Sequence, residues 1–403
     1  MGPLIIGLLA AFLLVLVLQD AFEVMLLPRR VQRRLRFMRL FFRVTWIAWS
    51  RLALIPPAGP RREHALSVYG PLSMVLLFTS WAAALIAAFG LLEWALQAGT
   101  QSAPSLAGQL YMSGVTFFTL GYGDVVPHTR AARMVAVTEA GTGFGFIAVV
   151  IGYLPVLYQF FSRREAHVIQ LDARAGSPPT AATLLCRHAA SDGLERLDDL
   201  LREWEVWGSE LLESHLSYPM LAYYRSQHDD QSWLSALGAV MDACALILVG
   251  VEALPPLQAR MTFTMARQVL VEMTSSFGLA PSRYTGGNRL PHAAYLRLEA
   301  AFAEAGLTWN GGPEAEAMLA ALRATYEPLL DGLASHLLLP LHGWIPDAAA
   351  ADHWQRGPRG LIARRLIEQL ASRTGARRPL PDLTGEGALW RRLRRKLRAD
   401  RPR

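Results

Sequence analysis

Residues 119–124 read Thr-Leu-Gly-Tyr-Gly-Asp and lie between two apolar segments of membrane-spanning length. Residues 105–118, just before them, predict a short helix with Ser105 as its N-cap, about a third short of a full span. A second long apolar helix follows, with Thr129 as its predicted cap. Irregular backbone at membrane depth is tolerated only where it is buried in protein or lines a water-filled path. The pattern therefore predicts a re-entrant helix and a loop within a membrane.

This stretch and its setting resemble the selectivity filter of the potassium-channel pore family, over residues 72–161. The resemblance implies that four chains contribute backbone carbonyl oxygens that replace the hydration shell of K⁺. Carbonyls that point at one axis require residues of alternating hand, and a glycine reaches positive φ at no steric cost. The Thr119 hydroxyl would close the inner end. The implied filter residues, of which the first four hold K⁺, are Thr119, Leu120, Gly121, Tyr122 and Gly123.

Two filter positions depart from the family pattern. The family usually has threonine where this chain has Phe118, and valine where it has Leu120. Tyr111 and Met112 stand where many members carry two aromatic residues that brace the filter tyrosine. A non-selective or quickly inactivating filter is therefore an alternative, and a glycine-rich turn that matches by chance is another. Under the resemblance, Phe118 and Asp124 support the filter.

The composition predicts a membrane part and a soluble part. Of the 403 residues, 52% are hydrophobic and the mean hydropathy is +0.22, which is too apolar for an ordinary soluble protein. The net charge is +7, and the basic residues cluster beside apolar segments, which favours membrane orientation over nucleic-acid binding. Cys186 and Cys244 lack metal-like spacing, so we expect buried thiols in a reducing compartment.

The N-terminal part predicts one membrane span and one surface helix. Residues 1–28 form an apolar run without the features of a cleaved signal peptide, which is the competing interpretation. Basic residues follow it at once, so the positive-inside rule places the N-terminus outside. Residues 29–66 carry ten arginines, from Arg29 to Arg62, interleaved with apolar side chains. They predict an interfacial helix that contacts anionic lipid on the cytoplasmic side. A linker helix that only fixes topology is equally favoured.

The pore domain is predicted at residues 67–162. Its parts are an outer helix at 72–96, the pore helix at 105–118, the filter at 119–124 and an inner helix at 130–161. The loop after the outer helix carries no basic residue up to residue 109, whereas arginines follow the inner helix. Both observations agree with one orientation in the membrane.

Several residues of the inner helix are candidates for gating or support. Gly143 stands where the family places a hinge glycine, and close packing is an equal alternative. Gly141 and Gly145 are more typical of close helix packing. Pro155 is expected to kink the helix and so to shape a gate at residues 151–160. An ionisable residue at membrane depth is a functional candidate, and we expect Glu139 to brace the pore helix.

Residues 163–385 predict a cytoplasmic helical domain, and residues 386–403 a basic tail. Arg391–Arg403 would contact anionic lipid rather than nucleic acid. A run at 234–254 is long enough to span a membrane but carries Asp242, and we predict a buried helix because a span would place the basic tail outside. Other predicted helices are a leucine- and tryptophan-striped one at 194–212 and those at 257–277, 291–305, 313–339 and 361–372.

These patterns predict an all-α membrane protein. It would have a two-helix-plus-pore-loop channel domain, an extra N-terminal span and an all-α cytoplasmic domain. The predicted function is a homotetrameric, potassium-selective channel in the inner membrane, gated or assembled by the cytoplasmic domain. No catalytic constellation is visible, so we expect no enzyme activity and no cofactor besides permeant K⁺. The alternatives are a non-selective cation channel and a non-conducting signalling or scaffold protein.

Overall fold

A computed structural model describes residues 2–25, 37–98, 105–189, 193–228, 231–252, 254–279 and 287–346. Within these ranges the chain forms α-helices and one 3₁₀ helix without a β-strand, which confirms the predicted fold class. The chain divides into two compact units. Unit 1 comprises Met1–Phe161 and Ser217–Arg225, and unit 2 comprises Ser162–Leu216 and Ser226–Arg403.

Three long helices form the body of unit 1. They are α1 (Gly2–Met25), α3 (Pro60–Gln97) and the first part of α5 (Arg130–Ala175). Helix α1 packs along α3, where the methyl group of Ala95 approaches Gly7 closely. Asp20 of α1 is buried and accepts a hydrogen bond from Trp81 Nε1 at 3.1 Å. A carboxylate in an apolar span therefore has a partner on the neighbouring helix.

The outer helix α3 is longer than the sequence predicts. It begins at Pro60 rather than at residue 72, because proline fits the first turn of a helix, where its missing N–H costs nothing. The prediction at 72–96 counted only the apolar residues and left out this polar first part. The proline-rich stretch ends one helix and starts the next: α2 (Phe37–Ala53) stops before it.

Helix α2 is amphipathic and belongs to the basic segment. Met38, Phe42 and Trp46 lie one turn apart and are buried. Its arginines, at 39, 43 and 51, are exposed beside the exposed apolar residues Leu40 and Ile47. Residues 29–36 of this segment lie outside the described residues.

The inner helix α5 also exceeds its prediction. It was expected to end at residue 161 but runs on to Ala175, because no proline or glycine interrupts it between Pro155 and Gly176. The boundary between the two units falls within it, after Phe161. A short 3₁₀ helix at Pro219–Tyr223 returns the chain to unit 1. We call its surroundings, Ser217–Arg225, the tyrosine segment.

Unit 2 is a bundle of helices. After the end of α5 they are α6 (Ala181–Ala189), α7 (Leu194–Ser217), α8 (Trp233–Gly250), α9 (Pro256–Phe277), α10 (His292–Ala305), α11 (Pro313–Ala324) and α12 (Glu327–Leu337). The prediction of one helix at 313–339 is wrong. The chain breaks at Thr325–Tyr326, since Pro328 is tolerated only in the first turn of a new helix. The predicted helix at 361–372 and the basic tail lie outside the described residues.

Helix α8 is the centre of unit 2. Of its most apolar window, 89% is buried within the chain, as the prediction of a buried helix requires. Asp242, in the middle of α8, accepts hydrogen bonds from both terminal nitrogens of the Arg289 guanidinium. The Tyr326 hydroxyl donates to the same carboxylate at 2.6 Å. The charge that makes a membrane span unfavourable is therefore paired inside the bundle.

A second buried polar group joins the end of α5 to α7 within unit 2. Arg164 forms an ion pair with Glu165, with 2.9 Å between Nη2 and Oε1. His215 Nδ1 donates to the Leu211 carbonyl at 2.9 Å, so its Nε2 is left to accept from Arg164 Nη1 at 3.3 Å. Burial, together with the Arg164 charge, holds the pKa of His215 well below its ordinary value. The ring is therefore neutral.

Candidate ion pathway

The candidate pathway includes a short helix that leads into the loop at residues 119–124. This helix, α4 (Leu106–Phe117), starts where Ser105 caps it, because the Ser105 hydroxyl accepts from Gly108 N at 3.1 Å. Its last turn is closed by Phe118 N, which donates to the Gly114 carbonyl at 3.1 Å. Twelve residues are too few to cross a membrane, so α4 has the length of a re-entrant helix.

The loop after α4 has a backbone of alternating hand. Thr119, Gly121 and Gly123 have positive φ angles of 57°, 59° and 76°, whereas the residues between them do not. Leu120 N donates to the Val115 carbonyl at 2.8 Å, which holds the loop against the last turn of α4. Both glycines occupy conformations that a side chain would strain, as expected if each carbonyl in turn faces one side.

The loop lies exposed in the single chain. Tyr122 is 66% exposed and Leu120 is 56% exposed, although both are large and apolar. Helix α5 exposes an apolar stripe at seven-residue spacing: Val137, Phe144, Ile151 and Tyr158. Such a surface needs a covering partner or lipid, or a path to line.

The C-terminal end of the loop is fixed by polar contacts. Asp124 Oδ1 accepts from Val125 N at 3.1 Å, and its carboxylate interacts with the Tyr111 hydroxyl of α4. The next residues are held to both long helices: Gln97 Oε1 of α3 accepts from His128 N at 2.9 Å, and Arg133 Nε of α5 donates to the Pro127 carbonyl at 3.1 Å. Thr129 Oγ1 accepts from Ala132 N and so caps α5.

Two candidate residues of α5 contact the pore helix. The carboxyl group of Glu139 is fully buried and forms a hydrogen bond with the Ser113 hydroxyl of α4. One turn later, a Cβ added to Gly143 would clash with the carbonyl group of Phe117, so this glycine permits the close approach of α5 to α4. Its hinge role stays a prediction. Among the described residues, no atom lies within 4 Å of such a Cβ at Gly141 or Gly145, so the predicted packing there has no partner in that part of the chain.

The part of α5 around Pro155 contacts a segment for which the sequence analysis predicted no role. Around Pro155, the rings of Tyr153 and Phe160 each lie 5.3 Å from Tyr218 of the tyrosine segment. Tyr224 of the same segment packs 5.6 Å from Phe161. The signal in the sequence was the density of tyrosines just after α7, which carries no recognisable motif.

In the described residues, no group of three His, Cys, Asp or Glu side chains could hold a metal ion. The two acidic residues that follow His228 in the sequence lie outside the described residues. Both cysteines are free and buried, as expected.

Comparison with known proteins gives the same location for the pore. A family model described as "Ion channel" matches residues 74–159. The chain is 23% identical over 198 residues to Uncharacterized membrane protein YdjJ of Bacillus subtilis (strain 168), which is 47% of this chain and 57% of that relative. It is 29% identical over 121 residues to Protein LctB of Geobacillus stearothermophilus, which is 27% of this chain and 87% of that relative.

The chain thus spans little more than half the length of the first of these relatives. No solved structure matches it. The matched residues contain α4, the loop after it and most of the apolar parts of α3 and α5. Residues 74–159 are therefore a pore domain of the potassium-channel-like ion-channel family.

Proposed function

We propose that four copies of this chain form a potassium-selective channel whose filter is Thr119, Leu120, Gly121, Tyr122 and Gly123. The observation that carries the proposal is the alternating backbone of this loop, with positive φ at every second residue. Successive carbonyls of such a backbone can face one axis and replace the hydration shell of K⁺. Coordination of K⁺ by backbone carbonyl and hydroxyl oxygens needs no cofactor. We propose no enzyme activity for this protein.

Four chains are proposed because one loop supplies only one side of a coordination cage. The exposed loop and the exposed seven-residue stripe of α5 would meet their counterparts around a cyclic axis. Proteins that conduct ions through backbone carbonyl cages need no chemical step, since ions move down their electrochemical gradient.

Purified protein in liposomes with a potassium gradient tests the proposal, with K⁺ flux compared with Na⁺ flux. Gly123→Ala is expected to abolish K⁺ flux, because a side chain at φ 76° strains the filter. Gly278→Ala is the matched control: Gly278 has φ 66° at the end of α9, so the strain is similar and the filter is untouched. Potassium flux that survives in Gly123→Ala, or is lost equally in both variants, would remove this loop from the mechanism.

A non-selective cation channel is the second candidate, because of the two departures from the family pattern. The Phe118 ring packs against Phe117 and lines an apolar cleft of about 360 Å³ with residues of α3 and α5. Threonine at position 118 would be too short to make the same contacts with Phe117 and the cleft. Equal Na⁺ and K⁺ flux would favour this candidate, and Phe118→Thr with Leu120→Val should then raise selectivity.

A non-conducting signalling or scaffold protein is the remaining candidate. No structural observation favours it over conduction. A pore that carries neither ion under any condition would favour it, provided that the protein still assembles.

We propose further that the tyrosine segment controls the gate. The segment packs against α5 on both sides of Pro155, and it also packs against α2 and α3. On α3, Tyr224 covers Gly70, and Arg225 forms a 2.6 Å ion pair with Glu63. Both ends of the segment continue into unit 2. We propose that a conformational change in unit 2 is passed along the chain to this segment, which packs against the helix that is proposed to form the gate.

Single-channel recording in planar bilayers tests this role. Tyr218→Ala removes the ring that lies between Tyr153 and Phe160, and is expected to change the open probability several-fold. The K⁺/Na⁺ ratio should stay the same, because the filter is unchanged. Arg202→Ala, on the exposed face of α7, is the control. An unchanged open probability in Tyr218→Ala would contradict the proposal.

The proposed orientation of the channel in the membrane follows from the distribution of basic residues. We propose that the channel lies in the inner membrane with its N-terminus outside and unit 2 in the cytoplasm. The exposed face of α2, where three arginines lie beside Leu40 and Ile47, would then rest on anionic lipid of the inner leaflet.

A further inference from the structure

Four buried polar side chains lie on α3, α4 and α5, within the apolar body of unit 1. Glu93 lies near the end of α3, Gln109 and Ser113 lie one turn apart on α4, and Glu139 lies on α5. All four are fully buried in the single chain. We call this group the glutamate pocket. None of its members takes part in the proposed carbonyl filter.

The hydrogen bonds of Ser113 indicate the protonation state of Glu139. Ser113 Oγ lies 2.7 Å from the Ile86 carbonyl oxygen and also contacts Glu139 Oε1. A serine hydroxyl has one proton, and a backbone carbonyl can only accept. Both contacts are satisfied if Ser113 donates to Ile86 and Glu139, in its acid form, donates to Ser113. An ionised Glu139 would leave two acceptors competing for one proton.

The remaining polar atoms of the pocket have no partner among the described residues. Both carboxyl oxygens of Glu93, both amide atoms of Gln109 and Oε2 of Glu139 are buried without a hydrogen bond to a described residue. Buried polar groups of this kind are normally satisfied by bound water, and a buried carboxylate without a cation takes up a proton.

The charged surroundings favour the acid forms. Glu93 and Glu139 are close enough for their carboxyl groups to interact, and two carboxylates in one buried site repel each other. Helix α4 contributes only neutral groups to the pocket, Gln109 and Ser113. The nearest basic residue along α5, Arg133, donates instead to the Pro127 carbonyl. Asp20 of α1 is bonded to Trp81, three turns away from Glu93.

We propose that the glutamate pocket is a binding site for protons and water that ties the pore helix to α3 and α5. The ligand is a proton, taken from the aqueous phase and held by Glu139 and Glu93. When both are neutral, Glu139 joins α5 to α4, one turn from the contact of Gly143 with Phe117. Loss of a proton at alkaline pH places a buried charge between these helices. Helix α4 then separates from α5, and the loop that follows it changes shape.

Infrared spectroscopy of the reconstituted full chain tests the site directly. At about pH 7 the spectrum should show the C=O band of buried protonated carboxyl groups, and this band should shrink towards about pH 10. Glu139→Gln and Glu93→Gln should each remove part of the band, whereas Glu195→Gln on the exposed first turn of α7 should not. A band that is unchanged in both pocket variants would overturn the proposal, because both glutamates would then be ionised. The titration of the unaltered protein decides the matter even if a variant does not fold.

Potassium flux tests the consequence, and this arm rests on the proposed function. Flux should fall about tenfold one pH unit above the midpoint of the infrared titration, where about a tenth of the sites keep their proton. Glu139→Gln should lose less flux than the unaltered protein at that pH, because its amide donates to Ser113 as the acid does and only Glu93 can still ionise. Flux that ignores pH while the band titrates would overturn the coupling to the filter. Absence of flux at every pH would count against the channel, and the infrared result would still decide the proton site.

Discussion

At the scale of single residues, Gly143 is required by the distance between two helices. A Cβ there would lie 2.8 Å from the Phe117 carbonyl carbon, and a backbone atom cannot rotate away. Gly143→Ala is expected to lower the free energy of unfolding by about 1–3 kcal/mol, the usual cost of an overpacked site. The measurement is the melting temperature of the purified protein in detergent.

The control for this prediction is Gly141→Ala, two positions earlier on the same helix. No atom of the described residues lies within 4 Å of its added Cβ, so alanine should leave stability unchanged or raise it by up to about 1 kcal/mol. Equal losses in the two variants would show that the contact with Phe117 is not the cause.

Arg289 is a second residue whose role is set by its contacts. Its guanidinium is bonded to Asp242 and to Glu327, and these groups are nearly inaccessible to water. Arg289→Ala leaves the Asp242 carboxylate buried without a cation, which typically costs about 3–5 kcal/mol. Chemical denaturation followed by tryptophan fluorescence should show this loss. Arg202→Ala, which breaks only exposed ion pairs, should cost about 0–1 kcal/mol.

This ion-pair network shows which parts of a buried polar site can be predicted from the sequence. Asp242 was recognisable from the sequence as a charge that makes a membrane span costly. Its partner Arg289 was not, because the two residues lie 47 positions apart and no spacing rule connects them. In the same way Glu139 stood out as an ionisable residue, whereas Glu93, near the end of the predicted outer helix, was not singled out. Only the packing of α3, α4 and α5 brings both glutamates to one pocket.

At the scale of elements, α2 is attached to unit 1 by aromatic rings. The Trp46 ring lies 4.8 Å from Tyr69 of α3 and 5.0 Å from Tyr223 of the tyrosine segment. Trp46→Ala should therefore release α2, with a loss of about 3–5 kcal/mol for a large buried aromatic side chain. Limited proteolysis should then cut within α2. Leu40→Ala on the exposed face of the same helix should leave the cleavage pattern unchanged.

Elements were predicted well where one chemical pattern decides them. The pore helix and the loop after it could be located because the cap at Ser105 and the two glycines leave little choice of backbone. The ends of α3 and α5 were missed, because hydropathy marks where a membrane ends and not where a helix ends. The tyrosine segment was missed because its aromatic residues have no periodicity, and only tertiary packing gives them partners.

At the scale of the whole molecule, the number of membrane spans depends on α8. By length and composition, α1, α3, α5 and α8 could each cross a membrane. Helices α8 and α5 differ in how much of their most apolar window is buried. The buried share within the chain is 89% for α8 and 11% for α5. A helix covered by its own bundle has no face left for lipid. We therefore expect three spans, with α7 and α11 on the same side of the membrane.

Single cysteines at Ser209 in α7 and Glu314 in α11 test this topology, since both positions are exposed and α8 lies between them. A membrane-impermeant maleimide should label neither in intact cells and both in inverted vesicles. The native thiols should stay unlabelled in both, because they are buried and burial raises the pKa of Cys186 to about 12. Labelling of Glu314→Cys but not Ser209→Cys in intact cells would mean that α8 crosses the membrane. Unit 2 could not then be a cytoplasmic bundle, and its proposed control of the gate would fail.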